Sequence, residues 1–600
     1  MMNKTQTCNG GVNMASKPLL LAPAGSFSAL RAAIDAGADE VYLGGSSFNA
    51  RINASNFDSE GLIRASELCK KNNVAMHITL NTLIYDKEFA SVLEYVSFLM
   101  NEVHPDALIV QDLGLIGRIR REFPSANLHA STQMRIHSYL DAEYLRSLGF
   151  SRAVLARELP KEDIKRFCES GLETEIFVHG AICVSESGGC LMSSVIGNRS
   201  GNRGECAQPC RLPYRSANRY PLSLKDMCLA NHIGEIIESG VTSLKIEGRM
   251  KAPDYVSTVV SVYRRLLDEQ RNATEREMRL LSDAFSRSGF TDGYFVSRIN
   301  RDMFGIRREE DKKKAIPKMP TSKTERAKRE SQSSENLPFD IPARDEEKTL
   351  SPAKQKGLVL RFEGRLPSKR FIEKHFQSAA RIDIPLQYCC DERFLPYKDK
   401  ISAIIPRSVF LKELDTVKAQ IKKVKESGIK NATVSSFNHL TLCEGMYLHG
   451  DYAFNVVNRE ALAMLENYSL SSVMLSPETD GRFARGSRCA LEYIGYGRTP
   501  LMYTRTCIIA NSEGCKHKDK CISRLVDRTG AVFPIISGHS HTNIIYNSLP
   551  SYRLDKKSEL KKAGVGLLTL LFTDESEQRM EEVIALASTS EKPNFAYTRR

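Results

Sequence analysis

Nowhere in the 600 residues do about 18 apolar residues run without interruption, so no membrane-spanning helix is predicted. The opening stretch, MMNKTQTCNGGVNMASK, lacks the apolar core of a secretory signal, and a cytoplasmic, reducing location is expected. There the 15 cysteines should be thiols or metal ligands rather than disulfides. Two protease signatures are also missing: no His-Glu-x-x-His helix occurs, and no Ser/His/Asp arrangement is identifiable. The excess of positive charge is modest, 85 Lys plus Arg against 72 Asp plus Glu. That permits a nucleic-acid partner without requiring one. With 42% apolar and 26% charged residues, a wholly disordered or collagen-like chain is excluded.

What is present begins with eight short apolar runs between residues 17 and 250: 19–25, 40–45, 75–81, 107–113, 128–134, 152–158, 174–180 and 243–248. Amphipathic helical patterns such as 27–38, 89–103 and 140–149 separate most of them. Apolar strands alternating with helices argue for a parallel sheet buried on both faces. Eight of them point to an α/β fold with an N-terminal (β/α)8 TIM-like barrel, a doubly wound open sheet being the alternative. A barrel works at its strand C-termini. That selects Gly44, Gly45, Asn81, Gln111, Asp112, Gln133, Arg157, Glu158, His179, Glu247 and Arg249.

Residues 1–17 read as a disordered N-terminus and 18–300 as the barrel unit. Residues 306–356 are charged, dotted with Ser and Pro and poor in large apolar residues, so they read as a flexible linker. A second α/β region spans 357–585, and 586–600 reads as a tail. Residues 128–159 can be laid over 448–479, with Leu-His opening both and Glu158 opposite Glu478; 175–183 then faces 492–500. The second region therefore reads as a degenerate, partial copy of the barrel.

The strongest local signal lies between His179 and Tyr214, where Cys183, Cys190, Cys206 and Cys210 follow the spacing C-x6-C-x15-C-x3-C on a glycine-dense segment. Four sulfurs on so pliant a loop suit a metal centre. Structural zinc favours two short knuckles, whereas only the last pair here is close. The wider spread suits a [4Fe–4S] cluster; zinc and unliganded thiols stay open as alternatives. Arg199, Arg203 and Arg211 are candidates to favour the thiolates. Cys228 reads as a core thiol held in reserve as a ligand. Cys507, Cys515 and Cys521, with His517 nearby, form a second candidate cluster.

The stretch from Glu175 to Tyr214 carries E-x-F-x-x-G-A-x-C, then S-G-x-C, then N-R-G-x-C-A-Q-P-C-R. With the runs at 20–45, 243–256 and 289–295, it resembles the peptidase U32 family of collagenase-like proteases. The resemblance covers about 18–300 strongly, and 358–585 resembles the C-terminal extension of the family's longer members. It implies iron–sulfur-dependent hydroxylation of a pyrimidine in RNA, with 23S ribosomal RNA cytidine favoured and prephenate as a hydroxyl source. Peptidase activity, tRNA uridine hydroxylation and a non-catalytic RNA-binding assembly factor are the competing implications. On the resemblance the cluster ligands are Cys183, Cys190, Cys206 and Cys210. Arg157, His179 and Arg249 are candidates for holding a dicarboxylate. Arg199, Arg203, Arg211, Arg215 and Arg219 are candidates for RNA phosphates, and Tyr214 and Tyr220 for stacking a flipped base.

Overall fold

The computed structural model describes residues 17–52, 54–216, 218–307, 356–514, 521–589 and 591–598. The expected linker, save for its ends at 306, 307 and 356, and the expected disordered N-terminus up to residue 16 lie outside those residues. The eight apolar runs become β1 (Leu19–Pro23), β2 (Glu40–Leu43), β3 (Ala75–Leu80), β4 (Ala107–Val110), β5 (Leu128–Ala130), β6 (Phe150–Val154), β7 (Glu173–Ala181) and β9 (Ser243–Ile246). The short β8 (Asp226–Cys228) lies between the last two in sequence. β1 to β7 pair in order, all parallel, and β9 closes the ring by pairing with both β7 and β1. The open-sheet alternative is thereby excluded. β8 is no part of the ring: it pairs antiparallel to the end of β7 and carries β10 (Phe290–Thr291) on its other edge.

The second region holds β11 (Gly357–Phe362), β12 (Arg381–Pro385), β13 (Ile401–Ile404), β14 (Asn431–Val434), β15 (Tyr447–Gly450), β16 (Ser472–Met474) and β17 (Ala490–Gly497). An antiparallel sheet of β18 (Pro500–Thr504), β19 (Ile522–Val526), β20 (Val532–Ser537) and β21 (Asn543–Tyr546) follows, then β22 (Ser551–Tyr552) and β23 (Val565–Phe572). β11 to β17 form a parallel series, and β23 pairs with both β17 and β11. The copy of the barrel is therefore a complete eight-stranded ring rather than a partial one. The sequence register holds as well: Leu128 and His129 lie on β5 where Leu448 and His449 lie on β15, both histidines buried. The described residues of the expected tail, 586–589 and 591–598, are placed against the second ring. A helix, Glu577–Thr589, leads to residues that fold back, with Thr598 bridging Ser551 and the Tyr597 ring 5.4 Å from Tyr552.

Each barrel interior carries charge. Arg152 on β6 grips Glu40 on β2 at 2.9 and 3.1 Å, and Lys245 on β9 meets Glu175 on β7 at 2.7 Å. In the second ring Arg381 takes the β12 position, bonded to Asp383 at 2.7 Å and Glu492 at 2.8 Å. Ionic groups this buried persist only when each finds a partner.

The two rings meet at the ends where their strands finish. Asn458, which caps the helix Arg459–Leu465 after β15, donates to the Asp112 carboxylate that caps the helix Leu113–Glu122 after β4, at 2.9 and 3.1 Å. Reciprocally, Asn438, opening the helix Asn438–Leu442 after β14, donates to Asp141, opening the helix Asp141–Ser147 after β5, at 3.0 and 3.1 Å. Asp112 is pushed up to about 6 by burial, against which the amide donors pull it down. No helix among the described residues is long and apolar enough to cross a membrane.

Candidate metal centre at the mouth of the first barrel

Between β7 and β8 the chain runs through a helix, Met192–Gly197, and two 3-10 turns, Gly201–Arg203 and Pro209–Arg211. Two glycines make its path. A Cβ at Gly188 (φ +71°) would stand 2.1 Å from the Gln133 carbonyl oxygen, and one at Gly204 (φ +85°) 2.3 Å from that of Asn49. No other residue tolerates both the close approach and the left-handed backbone. The segment is also clamped from the second ring. Glu186 and Leu191 donate backbone N–H bonds to Tyr503 and Leu501 of β18, both at 2.8 Å, and Arg215 donates to Val526 of β19 at 2.7 Å.

All four expected cysteines lie on this path, near enough for their charges to act on one another. Burial pushes the Cys190 thiol far up, and the charges of Cys183, Cys206 and Cys210 add to it. Cys210 is raised to about 12 by burial and by Cys183, and Cys183 is raised by burial and by Cys206. A Cβ at Gly201 would lie 3.7 Å from the Cys206 Cβ and 3.8 Å from the Cys190 carbonyl oxygen, so the missing side chain leaves room between them. Raised in this way, Cys183, Cys190 and Cys210 stay protonated alone and become thiolates on binding a cation. Four sulfurs form a soft donor set, which suits iron–sulfur or zinc. The reserve ligand Cys228 is elsewhere: it is buried on β8 with its Sγ 3.7 Å from the Tyr263 hydroxyl. In the second candidate cluster, Cys507 caps the helix Ile508–Glu513 and Cys521 immediately precedes β19, while Cys515 and His517 lie outside the described residues.

Beside the thiols stands a carboxylate shared by two guanidiniums. Glu247, just past β9, takes Arg157 at 3.2 Å and Arg51 at 3.3 Å. Those cations hold its carboxyl down against the upward push of burial. Arg157 lies 3.8 Å over the Phe177 ring and donates to Ser187 at 3.1 Å. The charges of Cys206 and Cys183 reach Arg51, and Arg157 and Arg211 lower Cys183. The mouth thus brings Cys183 and Cys206 within reach of the Arg51 guanidinium, and Cys183 within reach of Arg157. Arg51 was not singled out from the sequence, although it follows a strand end in GGSSFNARIN.

The other predicted residues divide. Arg249 is buried and donates to Thr79 at 3.0 Å and to Asn49 and Asn56 at 3.1 and 2.5 Å. Its guanidinium is lowered to about 10 by burial, and it holds the loop after β2. His179 is not brought to the mouth. A bulge between Phe177 and His179, seen in the pairing of β7 with β9, resets the strand's alternation. The ring turns outward into an aromatic layer with Tyr255, Tyr263 and Phe290, at centroid distances of 6.2, 5.6 and 5.3 Å. Burial lowers it to about 3, so it is neutral. Tyr214 is buried, its hydroxyl on the Pro209 carbonyl, and unavailable for stacking. Arg203 is committed to Glu88 at 2.6 and 2.8 Å, and Arg211 ties the loop together through Ile182 and Ser223. Arg199 bonds the Glu205 carbonyl at 3.0 Å; Arg199, Arg215 and Arg219 remain exposed and Tyr220 half-buried.

Residues 25–304 match the family model described as peptidase family U32. The chain is 36% identical over 276 residues to a tRNA hydroxylation protein of Bacillus subtilis, covering 43% of this chain and 65% of that one. It is 38% identical over 290 residues to a 23S rRNA 5-hydroxycytidine synthase of Escherichia coli, covering 46% and 42%. To an uncharacterized protease of Methanocaldococcus jannaschii it is 35% identical over 307 residues, covering 47% and 74%. The chain therefore spans less than two thirds of the first two relatives.

Proposed function

As the chain belongs to peptidase family U32, we propose that it hydroxylates a pyrimidine base in RNA and that Cys183, Cys190, Cys206 and Cys210 hold a [4Fe–4S] cluster. What supports this reading is that four cysteines of one loop lie near enough for their charges to act on one another, beside the Arg51–Glu247–Arg157 bridge. When bound, such a cluster supplies electron-transfer capacity at the barrel mouth. The chain's own residues do the rest. Two guanidiniums on a single carboxylate leave a surplus positive charge, which suits an anionic oxygen donor such as the dicarboxylate prephenate. Arg249 keeps the loop bearing Arg51 in place through Asn49 and Asn56. The target base must leave its stack to reach the mouth, so the substrate is an unpaired or flipped nucleotide. A cytidine of 23S ribosomal RNA is the favoured target, since one relative is named for that product.

The test is nucleoside mass spectrometry of ribosomal and transfer RNA from a strain lacking the gene, paired with iron and sulfide analysis of anaerobically purified protein. Loss of an oxygen-bearing pyrimidine from 23S rRNA, with about four irons per chain, is the expected pair of results. Unchanged nucleosides with cleavage of gelatin by the purified protein would reassign it as a peptidase.

A further inference from the structure

The flank of the second ring carries a cleft. In the first ring β6 and β7 are joined through the helix Lys161–Cys168, which packs against the helix Ile233–Glu238 that leads towards β9. Lys161 meets Glu235 at 2.5 Å, and a Cβ at Gly240 would lie 3.8 Å from that of Cys168. The helix Lys161–Cys168 packs on β7. In the second ring the corresponding β16–β17 connection keeps only a 3-10 turn, Arg482–Ala484. The helix Lys557–Lys562 before β23 therefore faces open space, a cavity of about 570 Å³ floored by Tyr493 and Leu560.

The cavity wall holds five cations and two carboxylates. Asp480 is taken up by Arg482 at 2.7 Å, and Glu559 by Lys556 at 3.5 Å. Arg485, Arg553 and Lys562 have no carboxylate partner among the described residues. Three uncompensated cations around a space that size form an anion site. Because the charges come from three separate segments rather than one helix face, they suit several phosphates in series rather than a single small anion. We infer that this cleft binds the sugar–phosphate backbone of a single RNA strand, outside the catalytic mouth. Backbone contacts of this type position a substrate without reading its sequence. The inference rests on the RNA reading above but concerns a different surface.

The test uses the full chain and a short fluorescein-labelled single-stranded RNA, with binding followed by anisotropy as KCl is raised. Each phosphate contact in a single strand contributes about 0.7 to the slope of log affinity against log salt. The triple variant R485E/R553E/K562E is expected to bind at least about tenfold more weakly and to lose about 2 from that slope, with its melting temperature unchanged. The glutamine triple should lose the same slope with a smaller drop in affinity, and Arg482→Gln should change little because Asp480 already occupies that side chain. An unchanged slope in both triples overturns the proposal. So does calorimetric binding of inorganic pyrophosphate that needs the three cations while the RNA slope stays put, which would make this a small-phosphate site. If the slope falls but RNA from the deletion strain is unaltered, the cleft stands and the hydroxylase reading fails. If the nucleoside disappears while the slope is unmoved, the reverse holds.

Discussion

The two rings share a closed eight-stranded plan and a register, yet they spend their β7-type connection differently. After β7 the first ring inserts the cysteine segment; after β17 the second inserts the sheet β18–β21 that clamps that segment. One ring carries the cysteine segment and the other holds it by backbone bonds. The mouths also lean on each other through equivalent residues. Glu158, past β6, accepts a bond from Arg505 of the second ring, and Glu478, past β16, accepts Asn202 of the first at 3.0 Å. A duplicated barrel can drift into a scaffold because its strands need only remain apolar, while its connections are free to change.

The sharpest way to break this division is at the sulfurs. Cys206→Ala in the first ring should abolish iron binding and product, whereas Cys443→Ala, which removes a buried thiol of the second ring, should leave both intact. Iron content per chain and nucleoside analysis read the difference. Iron loss in both variants would mean that the second ring also ligates.

Next in size are the barrel interiors. Arg152→Met leaves Glu40 without its main partner in the first ring, and Arg381→Met strands Asp383 and Glu492 in the second. Breaking a buried pair from one side costs about 3–5 kcal/mol. Arg152 and Glu40 occupy β6 and β2; in the second ring the arginine is on β12 and Ser472 holds the β16 place. The arginine has changed sides around a retained glutamate, Glu175 on β7 and Glu492 on β17, and a serine stands where the first ring has its arginine. Urea unfolding should show comparable losses; a loss confined to Arg152→Met would mean that the second interior has been relieved of its charge burden.

The interface comes third. Asn458→Ala and Asn438→Ala should each cost about 1–3 kcal/mol, because each leaves a buried carboxylate short of a donor. Asp112 also fixes a pH dependence. Its carboxyl titrates near 6 in the folded chain against an ordinary 3.8, so the folded form holds a proton that the unfolded form has released. Its contribution is fully present below about 4 and is lost as pH rises to about 6, an effect of up to about 3 kcal/mol. Asn458→Ala removes a bond that favours the ionised form, so the fall should become larger and continue to higher pH. Urea midpoints across that window check it; parallel profiles would remove Asn458 as the controlling partner.

The first ring was legible because each of its strands is a compact apolar run, and the cysteines because their spacing lies within one segment. Closure of the second ring was not, since β23 is separated from β17 by the whole inserted sheet and no local repeat marks it. The Asn458–Asp112 and Asn438–Asp141 pairs were equally invisible: each joins residues roughly 300 positions or more apart, and an Asn at a helix start has a sufficient local reason to be there. Arg51 sat in plain view after a strand end, but a loop arginine has no distinguishing pattern until Glu247 is seen beside it.

His179 supplies the smallest effect and the cleanest test of strand alternation. A period of two places 175, 177 and 179 on the same face of β7, and the bulge defeats that count. In the observed position the ring makes one long contact, 3.4 Å from Nδ1 to the Tyr263 hydroxyl, and Nε2 has no partner. The Tyr263 hydroxyl already donates to the Val178 carbonyl at 2.9 Å. His179→Phe therefore keeps the aromatic layer and removes an unsatisfied nitrogen, so stability should shift by about 1 kcal/mol or less and product formation should persist. Arg157→Gln, by contrast, removes one of the two cations on Glu247 and should cut product formation while iron stays bound. Should His179→Phe abolish product with iron retained, the ring must face the mouth, and the bulge would have been assigned to the wrong residue.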